Sequence, residues 1–95
     1  MPYYVYILTN KRNGTLYIGS TSNLIKRVWQ HKNKIIVGFA TKYNTSKLVY
    51  FEEFQDIRDM GHREKRLKEW KRFWKIELIE QQNPNWDDLY YTIIQ

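Results

Sequence analysis

A small α/β domain, with one layer of three β-strands and helices packed on it, is the fold that the sequence predicts. Three segments have the alternation and the aromatic or β-branched composition of strands: residues 3–9, 15–19 and 48–54. Two longer segments, at about 22–33 and 57–81, space their apolar residues as helices do. A chain of 95 residues is long enough to form one hydrophobic core without disulfides or a structural metal, so we expect residues 1–95 to form a single domain.

The first two strands are predicted to form a hairpin. Residues 3–9 alternate between two apolar faces, as in a central or well-covered strand: Tyr4, Tyr6 and Leu8 on one, Tyr3, Val5 and Ile7 on the other. A polar turn at 10–14, ending in Asn-Gly, connects this strand to the next. The expected register places Leu8 near Thr15 and Tyr6 near Tyr17.

The segment after the second strand, at about 22–33, is predicted to be a helix capped by Ser22 or Thr21. Its apolar stripe consists of Leu24, Ile25, Val28 and Trp29. Arg27 and His31 are four residues apart, so they share a face that borders this stripe. Two interpretations are open for this pair: solvated side chains along the helix edge, or members of a functional site.

The second half of the chain is predicted to be mostly helical. A short helix is expected around 39–43, and Gln55 or Asp56 offers a cap for the long helix that follows the third strand. The apolar stripe of the long helix contains Met60, Leu67, Trp70, Trp74 and Leu78. Three further features are expected: a break of the long helix near Lys71, the end of that helix at Asn83-Pro84, and a last short helix within 87–91.

One acidic residue lies where the helical pattern predicts an apolar side chain. Glu64 is four residues after Met60 and three before Leu67, so it projects from the middle of the stripe. A carboxylate there must be paired, hydrogen-bonded or bound to a cation. The open alternatives are a metal ligand, a general acid or base, or an internal ion pair with Arg63, Lys68 or Arg27. His62, on a different face, is expected to be a surface residue.

The composition favours an anionic partner. The chain has 16 Lys and Arg against 10 Asp and Glu, a formal net charge of +6, and 17% of its residues are aromatic. Phosphate backbones attract such a charge regardless of sequence, and aromatic side chains stack on exposed bases. A single carboxylate suits Mg²⁺, which is often held by one or two carboxylates plus substrate phosphates. Together with an arginine, a histidine and two strand tyrosines, Glu64 suits phosphodiester hydrolysis.

Several other classes are disfavoured by the composition. The chain has no cysteine, which excludes disulfides, thiolate metal sites and a thiol nucleophile. Residues 1–8 lack the basic region of a signal peptide, and no apolar run approaches the length of a membrane span. We therefore expect a cytoplasmic protein with no membrane partner and no small-molecule cofactor, and the oligomeric state stays open.

Short motifs follow one another in order along most of the chain. They are Tyr4-Val5-Tyr6, Tyr17-Ile18-Gly19, Lys26-Arg27 and the segments 20–24, 38–43, 48–52, 63–70 and 83–86. In this order and spacing they resemble the GIY-YIG nuclease domain, and most closely its small single-domain bacterial members. The resemblance implies an α+β domain with a three-stranded antiparallel sheet flanked by helices.

The resemblance also implies roles at one phosphodiester site. Tyr17 would orient or deprotonate the attacking water, Tyr6 would hydrogen-bond at the reacting phosphate, and Arg27 would stabilise its developing charge. Glu64 would hold one divalent cation, Mg²⁺ or Mn²⁺, and His31 would assist as a base or proton relay. Four further basic side chains are predicted to bind nucleic acid: Lys26, Lys42, Arg63 and Lys68.

The chain departs from the family pattern at a few positions. Tyr4 and Val5 stand where the family name has Gly and Ile. Ser20 occupies a place where some members carry a lysine, and Lys42 is the candidate to supply that charge. The supporting asparagine of many members has three candidates here: Asn83, Asn85 and Asp87.

The leading hypothesis is therefore a divalent-metal-dependent endonuclease acting on DNA, in repair or processing, with RNA open as an alternative substrate. The competing hypothesis is a non-catalytic nucleic-acid-binding module that keeps the nuclease fold. A third is an interaction domain with no nucleic-acid role. Cleavage in the presence of a divalent cation identifies the first, and salt-sensitive binding without cleavage identifies the second.

Overall fold

The computed structural model describes residues 2–36, 38 and 42–95. In chain order its elements are β1 (Tyr3–Thr9), β2 (Leu16–Thr21), α1 (Leu24–Lys32), β3 (Lys47–Phe54), α2 (Ile57–Glu69), α3 (Arg72–Gln82) and α4 (Tyr90–Ile93). The strands form one antiparallel sheet in the order β2-β1-β3. The predicted α+β fold, with a three-stranded antiparallel sheet and flanking helices, is confirmed. The short helix expected around 39–43 falls largely outside the described residues.

The β1–β2 hairpin forms as predicted, but the expected register is wrong by two residues. Leu8 pairs with Tyr17, and Tyr6 pairs with Gly19. The turn is longer than expected because Thr15 donates its backbone N–H to the Asn10 side chain (3.0 Å) and stays outside the ladder. A shift of two residues keeps every side chain on its predicted face of the sheet.

The two faces of the sheet are covered by different helices. We call one the apolar face, where α2 and α3 pack on the strands; its cluster comprises Val5, Ile7, Ile18, Val49, Tyr50, Leu67, Ile79 and Trp86. We call the other the tyrosine face, covered by α1 and α4; its buried cluster comprises Tyr6, Leu8, Leu24, Val28, Leu48 and Tyr90. The central strand β1 is thus buried on both sides, as its alternation predicted.

A β-bulge interrupts the pairing of β1 with β3, and the sequence pattern did not predict it. Ile7 pairs with Tyr50 while Leu8 pairs with Leu48, so Val49 is the extra residue. The buried side chain of Asn83 donates to the Val49 carbonyl (3.1 Å) and to the Asp87 carbonyl (2.9 Å). Asn83 therefore satisfies the backbone of the bulge and closes the turn after α3.

Local hydrogen bonds fix the helix ends. α1 is capped by Asn23, whose side chain accepts from the Lys26 N–H, so the predicted caps Ser22 and Thr21 are wrong. Thr21 instead ends β2 and accepts from the Asn23 N–H. Asp56 caps α2 as expected, by accepting from the N–H of Arg58.

The predicted break near Lys71 is confirmed, since α2 ends at Glu69 and α3 begins at Arg72. Trp74 lies on α3, after the break, and is about half exposed, so the single stripe predicted across both helices is wrong at this residue. Among the described residues, no helix has both the length and the apolar character needed to cross a membrane.

Candidate active site

Two tyrosines and a histidine meet on the tyrosine face. Tyr6 comes from β1, Tyr17 from β2 and His31 from the last turn of α1. The Tyr6 hydroxyl lies 3.3 Å from His31 Nε2, and the ring centroids of Tyr17 and His31 are 5.4 Å apart. The rings of the two tyrosines are 6.4 Å apart. The predicted pair on neighbouring strands is therefore packed directly against the helix edge that carries His31.

Gly19 makes room for this cluster. It pairs with Tyr6, and a Cβ atom added to it would lie only 2.5 Å from the Tyr6 hydroxyl and 3.1 Å from the Tyr17 ring. Tyr6 is fully buried, so its ring has little space to move aside. Glycine is required here for close approach of a side chain to the backbone rather than for an unusual backbone angle.

Arg27 lies beside the Tyr6 hydroxyl, one helical turn before His31. Burial raises the pKa of Tyr6 far above its usual value of 10, and the neighbouring Tyr17 adds to the rise. The Arg27 guanidinium opposes it, and the charge of Glu64 adds to it. Tyr6 consequently keeps its proton at neutral pH and acts as a hydrogen-bond donor.

His31 is buried, and it is neutral for the same reason. Burial lowers its pKa below 6.5, and the positive charge of Arg27 lowers it further. The Tyr6 hydroxyl and Nε2 are within hydrogen-bond distance, and the tautomer of the ring decides which of them donates. Nδ1 has no hydrogen-bond partner among the described residues. A neutral ring has one nitrogen that can accept a proton.

Glu64 is held by two neighbours. Its Oε1 accepts from the Ser20 hydroxyl (2.6 Å), and its Oε2 pairs with Lys68 Nζ (2.8 Å). Partial burial raises the pKa of Glu64, but the hydrogen bonds from Lys68 and Ser20 outweigh it and leave the pKa below 4.5. Lys68 is thus the ion-pair partner among the three candidates, and the carboxylate is ionised at neutral pH.

The contribution of Ser20 was not predicted from the sequence. It directly follows Gly19, so its side chain points to the opposite face from the Tyr6 hydroxyl, toward α2. The alternation of side chains along β2 could have predicted this direction, because Leu16, Ile18 and Ser20 share a face of the strand. Glu64 therefore reaches the site from the helix on the apolar face, and its charge still acts on Tyr6.

Comparison with known proteins shows the family of the chain. The sequence model of the GIY-YIG catalytic domain matches residues 2–77 of the chain. The chain belongs to the GIY-YIG family. Membership supports an endonuclease-type function and a nucleic-acid substrate in general terms.

Small bacterial GIY-YIG relatives match most of the chain. A UPF0213 protein of Clostridium perfringens is 41% identical over 76 residues, which are 80% of this chain and 81% of that protein. A UPF0213 protein of Syntrophus aciditrophicus is 36% identical over 85 residues, covering 85% and 92% of the two chains. The solution NMR structure of a UPF0213 protein from Bacillus halodurans shares the fold, with a TM-score of 0.58, 23% identity and 93% coverage of each chain.

The acidic groups of this GIY-YIG domain fit a cation that needs few protein ligands. Among the described residues no group of three or more histidine or acidic side chains is arranged to hold a metal. A hydrated Mg²⁺ or Mn²⁺ ion suits one ionised carboxylate oxygen ligand, and Glu64 supplies it. Glu64 is therefore the residue that would hold the predicted cation, and a cation there would compete with Ser20 and Lys68 for its oxygens.

The four basic residues predicted to bind nucleic acid have different surroundings. Lys26 is exposed and lines, with Arg27, a cleft of about 360 Å³ at the start of α1. Lys42 is exposed, and its ammonium lies 5.5 Å from the ring centre of Tyr43. Lys68 is more than half exposed although it pairs with Glu64.

Arg63 is already engaged within the GIY-YIG fold. It donates two hydrogen bonds to Glu52, of 2.9 and 2.8 Å, and lies 5.1 Å from the ring centre of Trp70. Tyr50 donates to the same carboxylate. This bidentate ion pair connects α2 to β3, so the geometry supports a structural role for Arg63. Binding of nucleic acid by Arg63 stays a prediction. Asn83, a candidate for the supporting asparagine, hydrogen-bonds Val49 and Asp87, and its role in supporting the site stays a prediction.

Proposed function

We propose that the protein is a divalent-metal-dependent endonuclease that hydrolyses phosphodiester bonds of DNA. The observation that carries the proposal is the packing of Tyr6, Tyr17 and His31 on the tyrosine face, with Glu64 held on the other face of β2 by Ser20, the residue after Gly19. A histidine, an ionised carboxylate and the guanidinium of Arg27, which lies beside Tyr6, match the needs of phosphodiester hydrolysis.

Each side chain has a role that its surroundings support. Arg27 stabilises the negative charge that develops on the phosphate, and the protonated Tyr6 hydroxyl donates a hydrogen bond to a phosphate oxygen. Tyr17 orients the attacking water beside the neutral His31 ring, which takes up the proton of that water when the Tyr6 hydroxyl moves from His31 to the phosphate. Glu64 would hold the cation, which would supply neutralisation of phosphate charge and of the charge on the leaving oxygen. The water oxygen forms the new bond to phosphorus, and the bond to one ester oxygen breaks.

The experiment that tests the proposal is nicking of supercoiled plasmid with Mg²⁺ or Mn²⁺. Glu64→Ala should reduce the nicking rate by about 10²–10³-fold, since metal-assisted charge stabilisation is worth several kcal/mol. Glu69→Ala is the matched control, because Glu69 is exposed on the same helix, and it should keep wild-type activity. Equal nicking by wild type and Glu64→Ala, or DNA binding by the wild type without metal-dependent cleavage, would contradict the proposal.

A further inference from the structure

A second cleft lies at the edge of the sheet, beside Tyr17. It has a volume of about 270 Å³ and is lined by Leu16, Tyr17, Ile18, Lys68 and Lys75. β2 is an edge strand, and the two lysines come from α2 and α3. The cleft therefore shares one wall, Tyr17, with the candidate active site, and it places two ammonium groups next to that wall.

Lys75 is in an unusual position for a surface lysine. It is half-buried, and burial lowers its pKa, with the positive charge of Arg72 lowering it further. Within the described part of the chain, no carboxylate forms an ion pair with Lys75. A half-buried cation with a like charge beside it costs folding free energy unless an anion binds there.

The neighbouring charges do not compensate Lys75. Arg72 donates to two neutral carbonyl oxygens, those of Asn13 and Gly14, each at 2.6 Å. Lys68 pairs with Glu64, the carboxylate expected to hold a cation. Two lysines thus line the cleft, Arg72 adds a third positive charge beside Lys75, and Glu64 is the carboxylate paired with one of the lysines. A cation on Glu64 would release Lys68 as a second donor.

We propose that this cleft binds a phosphodiester group of the nucleic-acid strand adjacent to the scissile phosphate, with Lys75 as its main ligand. The inference rests on the proposed function, because it is the phosphate backbone of the substrate that would continue past Tyr17 into the cleft. A backbone phosphate supplies the missing anion, and the apolar side chains of Leu16 and Ile18 offer a surface for the attached sugar. Lys75 is then a substrate-binding residue outside the reacting cluster.

The test is binding of a short labelled DNA duplex to the metal-free protein, measured by fluorescence anisotropy at several salt concentrations. Lys75→Met should weaken binding by about 5–10-fold and make the slope of log affinity against log salt shallower by about one. Lys65→Met removes an exposed charge from α2 and should change affinity by less than about twofold. Lys75→Met should also raise Tm, because it removes a buried charge that has no partner.

A second measurement locates the contact. Single phosphates of the duplex are replaced in turn by neutral methylphosphonates. The wild type should lose affinity when one particular phosphate of the duplex is replaced, and Lys75→Met should be insensitive to that same replacement. The inference is overturned if Lys75→Met weakens binding no more than Lys65→Met, or if both proteins respond equally at every position. Both binding assays use uncut DNA without metal. If the protein fails to cleave DNA, the proposed function is wrong, but the effect of Lys75→Met on DNA binding can still be interpreted.

Discussion

The two faces of the sheet are built from different kinds of contact. On the apolar face, Val5, Ile7 and Leu67 are fully buried among other hydrocarbon side chains. On the tyrosine face, the same central strand buries a hydroxyl against an imidazole, and a guanidinium lies beside them. One strand therefore supports stability through one set of alternate residues and the candidate chemistry through the other.

The comparison shows where the protein accepts unfavourable contacts. His31 Nδ1 is buried without a partner among the described residues, whereas Asn83, near the apolar face, has every polar atom of its amide engaged. An unpaired buried polar atom costs stability, and such groups are concentrated where a substrate is expected. Substitution of Arg27, a charged residue beside this cluster, should therefore change stability little and activity strongly, and substitution in the apolar cluster should do the reverse.

The largest effects should separate the faces completely. Arg27→Ala should lower the nicking rate by about 10²–10³-fold, as for loss of one donor to a developing charge, with little change in Tm. Leu67→Ala should instead lower the free energy of unfolding by about 2–5 kcal/mol, because it leaves a cavity under α2, while folded protein nicks normally. Arg27→Lys, which keeps the charge without the fork, is the control for electrostatics. Loss of stability in Arg27→Ala equal to that of Leu67→Ala would remove the distinction between the faces.

Two glycine substitutions give an intermediate effect of opposite sign. Gly19→Ala should lower the free energy of unfolding by about 1–3 kcal/mol, because its methyl group would overlap the buried Tyr6 hydroxyl. Gly61→Ala, in α2, meets no atom within 4 Å and should raise the free energy of unfolding by about 0.5–1 kcal/mol. Urea denaturation measures both. Nicking should fall only in Gly19→Ala. If Gly19→Ala left stability and nicking unchanged, the close contact between the Tyr6 hydroxyl and Gly19 would not be required.

The smallest expected effect is a pH dependence of stability. The folded-state pKa of His31 lies below its usual 6.5, so between the two values the unfolded chain binds a proton that the folded protein does not. The free energy of unfolding should therefore fall as the pH drops below about 6.5, because the unfolded chain takes up this proton more readily. The slope from this residue is at most about 1.4 kcal/mol per pH unit. Urea denaturation at about pH 7.5 and about pH 5 should show a weaker dependence in His31→Gln. His62→Gln, at the exposed histidine, should keep the wild-type dependence.

The fold was predictable where periodicity is strong. The three strands, the long helical region and its break near Lys71 follow from alternation and helical spacing, and the structure confirms them. The hairpin register was not predictable, because it depends on Asn10 holding Thr15 outside the ladder. The bulge at Val49 depends on Asn83, which is far away in the sequence. Both errors come from side-chain bonds to the backbone, which leave no periodic signal.

The candidate site was predictable as a set of residues but not as a set of contacts. Glu64 was identified because a carboxylate interrupts an apolar stripe, and Arg27 and His31 because they share a helix edge. That Ser20 holds Glu64, and that Gly19 gives space to Tyr6, depends on strand pairing and on packing across the sheet. The metal, the substrate and the roles of the five residues remain predictions for the assays above.

The part of the sequence that defines the family is shorter than the unit that folds. The match to the catalytic domain ends at residue 77, yet Trp86 fills the apolar cluster and Tyr90 fills the other one. Asp88 accepts from the backbone N–H groups of Leu48 and Tyr90 and pairs with Lys32. A fragment that ends at residue 77 would lack Trp86 and Tyr90 and would expose both clusters to solvent. A truncated or fused form should therefore keep the chain to beyond residue 90.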